Sequence, residues 1–124
     1  MLNELDKNME KYDLTNKKEL VNVITVLMSS SLAPTLLAAN PLFPVILKFG
    51  GMILDKIFST ETLKLQKDTA ESLIKRGKEN GVDEMEITVK NTRGFKLNVP
   101  IDDSIKIDTM IGADEKMHIK VKYK

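Results

Sequence analysis

The sequence predicts an α+β protein: N-terminal helices, about four with a hydrophobic pair among them, then a C-terminal four-stranded antiparallel meander. Two observations carry this prediction. Beyond Gly81 the hydrophobic period changes from about three and a half to two. Charge is also unevenly placed: the 28 residues Leu20 to Leu47 carry none, whereas from Thr60 onward about two residues in five are charged.

The 124 residues suit a single domain, with 1–58 as a hydrophobic helical part and 59–124 as an amphipathic helix plus sheet. A 42% hydrophobic and 30% charged composition excludes wholesale disorder. Nineteen Lys+Arg against 18 Asp+Glu give a net charge of +1, so any pull toward nucleic acid or anionic lipid needs a local patch. The absence of cysteine excludes disulfides, thiol nucleophiles and thiolate metal sites. A single histidine removes most His-based catalytic and zinc constellations.

Each element has a local reason. Leu2, Leu5, Met9 and Tyr12 recur at three and four residues, which predicts a short amphipathic helix over 1–13. Thr15 reads as the cap of a second helix, about Asn16 to Ala39, with Glu19 in its first turn meeting the dipole. Asn22, Thr25 and Ser29 make its one polar stripe, and Pro34 should kink or shorten it. Asn40 to Pro44 is a turn, each proline pushing its predecessor out of the helical region. Helix resumes over Val45 to Phe58, where Gly50-Gly51 favours close approach to another backbone. A helix from Ser59 or Thr60 to about Asn80 turns Leu63, Ala70, Leu73, Ile74 and Gly77 inward and stops at Gly81.

Four alternating segments follow, centred on 85–89, 95–101, 105–111 and 117–123. Every inward residue is odd-numbered, so opposed residues must sum to an even number. That rule sets Asp108 opposite Lys120, Lys106 opposite Lys122, and His118 outward beside Met110.

The apolar helices raise the functional question, because a helix apolar on every side must be surrounded. The first answer is a second copy: a non-enzymatic interaction or assembly module that homo-oligomerises through Val23, Leu27, Phe43, Phe49, Gly50, Gly51 and Ile53. The second is a small membrane-associated protein, such as a pore-forming effector, with helix 20–39 inserted and 45–58 at the interface. The third and weakest is an anion or nucleic-acid binder using Lys106, Lys120, Lys122 and Lys124. No outward aromatic stands ready to stack on bases, and lysines on a terminal strand also guard a sheet edge.

Chemistry is sparse. Asp83, Glu84, Asp102 and Asp103 gather at one end of a meander, but turn formation explains them and no calcium-loop spacing is present. No Ser/His/Asp set, Walker loop, GxGxxG or HExxH occurs, so no catalytic residue, metal or cofactor is expected. The acidic residues near the start are wrong for a secretory signal, which makes cytoplasm the expected compartment.

Overall fold

The computed structural model describes residues 9–30, 34, 40–50, 52, 59–90, 104–112 and 116–123. In chain order the elements are β1 (Met9–Asp13), α1 (Lys17–Met28), α2 (Leu42–Phe49), α3 (Ser59–Glu79), β2 (Glu84–Lys90), β3 (Ile105–Ile111) and β4 (Lys116–Tyr123). The class is α+β as expected, but the described residues hold three helices, and the sheet is mixed rather than an antiparallel meander.

Strand order is β1-β2-β4-β3. The β3–β4 hairpin has the register that parity required, with Asp108 on Lys120, Lys106 on Lys122 and Met110 on His118. Strand β2 pairs antiparallel with β4, the terminal strand, which therefore lies inside the sheet. The expected strand 95–101 and the residues Asp102 and Asp103 lie outside the described residues.

The first expected helix is corrected to a strand over its last residues: β1 runs parallel to β2, with Glu10 beside Met85 and Tyr12 beside Ile87. Alternation explains it. Tyr12 and Leu14 turn toward the core while Met9 and Lys11 stay exposed, a period of two that the wider spacing of apolar residues concealed.

The long helix expected over 16–39 is also corrected. Asn16, not Thr15, is its cap, accepting the Glu19 N–H at 3.0 Å, and Glu19 Oε2 reaches back to the Asp13 N–H at 3.1 Å. At the other end the backbone N–H groups of Ser29 and Ser30 bond the carbonyls of Val26 and Leu27 in a tightened last turn, and the two serine hydroxyls donate to the same carbonyls. The 12-residue α1 buries Leu20, Val23, Ile24 and Leu27, one stripe at helical spacing. No helix among the described residues is long and apolar enough to cross a membrane.

Helix α2 starts earlier and ends sooner than expected. Pro44 fits its first turn, where the N–H has no helical partner. Buried Asn40 accepts the Leu42 N–H and donates to Asp68 of α3, both at 2.9 Å, tying α2 to α3. Gly50 ends the helix with φ +64°; a Cβ there would meet nothing within 4 Å, so it serves helix termination rather than close approach.

Close approach occurs instead at Gly77. An added Cβ would lie 2.5 Å from Tyr123 Oη and 2.8 Å from Met85 Cε, so glycine sets the spacing between α3 and the sheet. Helix α3 ends on a Schellman turn at Gly81 (φ +69°), the Val82 N–H bonding the Gly77 carbonyl at 3.0 Å. Buried Gln66 accepts the Lys90 N–H at 2.9 Å, closing the end of β2.

Candidate interaction surface

Helix α2 is too apolar for the core it meets. Its sequence LFPVILKF carries one charged residue, Lys48, and buries Phe43 and Ile46 fully. On either side of that buried stripe Leu47 and Phe49 stay 47% and 49% exposed, and Met52, just beyond, is 72% exposed. Val26 of α1 is likewise exposed. The Lys48 ammonium sits 5.4 Å from the centroid of the Phe49 ring, a cation–π contact that leaves the ring accessible.

The expected association residues are therefore divided. Val23, Leu27 and Phe43 belong to the chain's own core, Phe49 faces out, and Gly50 forms the turn after α2. Gly51 and Ile53 lie outside the described residues.

The basic strip is less basic than the sequence predicts. Because β4 lies beside β2, Glu84 stands opposite Lys122 and Glu86 opposite Lys120, while Asp108 flanks Lys120 from the other side. Glu86 also meets Lys11 Nζ at 3.8 Å. Lys106 has Lys122 as its in-register neighbour, and Lys124 lies outside the described residues. Lys120 and Lys122 do not guard an edge of the described sheet, since β4 is interior to it. On the same face His118 Nδ1 lies 3.1 Å from Thr88 Oγ1.

A polar cluster went unseen in the sequence because β1 was read as helix. Tyr12 Oη donates to Glu10 Oε2 at 2.6 Å, beside a cleft of about 270 Å³ between β1, α1 and α3 that Arg76 and Asn22 also line. Burial, then the Glu10 carboxylate, pushes the Tyr12 phenol well above its ordinary ionisation range, against a smaller opposing pull from Arg76. Tyr123 Oη donates to the Ile74 carbonyl at 2.6 Å, and burial raises its ionisation in the same direction. Both phenols are protonated donors already engaged: Tyr123 fastens β4 to α3, whereas the Tyr12 bond stays within β1. Among the described residues no three His, Asp or Glu side chains gather to hold a metal ion.

No family model, curated protein or solved structure matches this chain. The functional reading rests on its own residues.

Proposed function

We propose that the chain is a non-enzymatic interaction module that self-associates through its apolar helical region, with Phe49 at the centre of the contact and Leu47 and Met52 around it. One observation carries the reading: the apolar arc of α2 is wider than the core beneath it, leaving Leu47 and Phe49 half in water. Covering the exposed half of one such side chain contributes about 1 kcal/mol, and a two-fold contact counts every residue twice. Buried Val23, Leu27 and Phe43 support that surface from below.

The inserted-helix alternative has less support. The 12 residues of α1 extend about 18 Å, short of a ~30 Å hydrocarbon core, and its buried stripe is already used within the chain. The nucleic-acid alternative has less too, because acidic residues stand in register with Lys120 and Lys122.

Light scattering of the wild type and Phe49→Asp, with and without detergent, tests the proposal. A defined oligomer without detergent, reduced in mass by Phe49→Asp, is the expected result. An unchanged mass removes Phe49 from the interface, and a strict requirement for detergent overturns the soluble assembly.

A further inference from the structure

Helix α1 turns one stripe of residues, Glu19, Asn22, Val23 and Val26, toward the cleft of about 270 Å³ that it shares with β1 and α3. Leu73 and Arg76 line it from α3, and Tyr12 and Lys11 from the strand. Val23 and Leu73 are buried while Val26 is 45% exposed, so the aliphatic lining continues from the core to the surface.

The charged groups of the lining differ in what already engages them. Glu19 Oε2 accepts the Asp13 N–H at 3.1 Å, and Lys11 Nζ meets Glu86 Oε2 at 3.8 Å. The half-buried Arg76 guanidinium approaches the Tyr12 phenol, which donates its proton to Glu10 Oε2 at 2.6 Å. A guanidinium holds more N–H donors, in a planar fork, than one phenol oxygen can accept. Lys11 and Arg76 against Glu19 also leave the lining net positive. A half-buried cation with donors to spare, set among aliphatic walls, is matched by a carboxylate on a small apolar body.

We propose that this cleft binds a small aliphatic monocarboxylate, with its carboxylate on Arg76 and Asn22 and its hydrocarbon against Val23, Val26 and Leu73. Size selects within the class. At ~30 Å³ for each water-sized unit the cleft holds about nine non-hydrogen atoms, the scale of a branched acid such as 4-methylpentanoate rather than a long-chain fatty acid. Glu10 tunes the strength of binding. It acts on the same phenol as Arg76, so its carboxylate competes with an incoming anion for the guanidinium. None of these residues belongs to the exposed flank of α2, so the site is separate from the surface proposed for self-association.

Titration of the isotope-labelled full chain with 4-methylpentanoate, followed by backbone amide NMR shifts, tests the site. Saturable shifts at residues 22–26 and 73–76, with a Kd of about 1 mM or tighter, are the expected result. Acetate, which lacks the hydrocarbon body, and 4-methylpentanamide, which keeps the shape without the charge, each bind about tenfold more weakly or worse. Arg76→Met keeps the aliphatic stem and weakens binding of the acid about tenfold or more. Glu10→Gln removes the competing charge, can still accept the Tyr12 proton, and tightens binding about threefold or more. A merely structural role for these two residues does not produce opposite effects on affinity. The proposal is overturned by no saturable shift up to about 10 mM, by shifts centred elsewhere, or by equal affinity for the acid and its amide. It is overturned equally by a folded Arg76→Met chain that binds as the wild type does, or a Glu10→Gln chain that binds no tighter. The comparison of acid, amide and acetate uses the wild-type chain, so it decides even where Arg76→Met fails to fold.

Discussion

Gly77→Ala should destabilise the fold, although alanine is the better helix former by about 1 kcal/mol. The new Cβ would stand 2.5 Å from Tyr123 Oη, 2.8 Å from Met85 Cε and 2.9 Å from Tyr123 Cζ. Met85 Cε ends a flexible side chain and yields cheaply. The Tyr123 ring does not, because its hydroxyl is fastened to the Ile74 carbonyl at 2.6 Å. Relief requires either moving the ring, which loses a bond contributing about 1 kcal/mol, or lifting α3 from the sheet, which loosens Leu73 and Ile74. Overpacking of this kind costs about 1–3 kcal/mol, so with the lost bond and the helix-propensity gain nearly cancelling, the net loss is about 1–3 kcal/mol. Urea unfolding should show a lower midpoint at unchanged slope. In a Tyr123→Phe background, where the nearest atom is gone, the same substitution should cost less by about 0.5–1 kcal/mol or more. A stabilisation of about 1 kcal/mol, as at an open helical site, refutes the reasoning.

Other predictions follow from the same contacts. Tyr12 and Tyr123 are the chain's two tyrosines, and both phenols ionise above the unfolded value near 10. Their contribution is present in full below about pH 10 and is lost as pH rises toward the folded values, since the unfolded chain releases those protons first. Tyrosinate absorbance should therefore appear well above pH 10 and together with loss of helix by circular dichroism; titration near pH 10 of a still-folded chain contradicts this. Asn40→Ala removes both the acceptor for the Leu42 N–H and the bond to Asp68, and should lower stability by about 1–2 kcal/mol in urea unfolding. A loss below about 0.5 kcal/mol shows that α2 is held by its apolar contacts alone.

What the sequence revealed depended on whether a rule is local. The β3–β4 hairpin was legible down to the Asp108–Lys120 pair, because strand alternation and adjacency fix it without knowledge of the rest. Helix α3 and its stop at Gly81 were legible for the same reason, having a periodic stripe and a glycine where a left-handed residue is required. The parallel pairing of β1 with β2 was not, since Met9 and Glu84 are far apart in sequence and five residues carry little periodicity. The uncharged run misled in a different way. Its part up to Ala39 reads as one helix from about Asn16, broken only by the turn at Asn40 to Pro44, yet α1 closes after Met28, where Ser29 and Ser30 bond back to the carbonyls of Val26 and Leu27. The reading of Lys120 and Lys122 as a basic strip failed at the neighbouring strand: their own positions were right, but Glu84 and Glu86 stand beside them.

We propose that a second copy covers the exposed flank of α2. Light scattering on Phe49→Asp beside the wild type, in detergent-free buffer across a range of concentrations, tests it most directly. A defined wild-type oligomer and a smaller, still folded Phe49→Asp species are expected. A wild type that is monomeric at every concentration, or a mass untouched by Phe49→Asp, would contradict it.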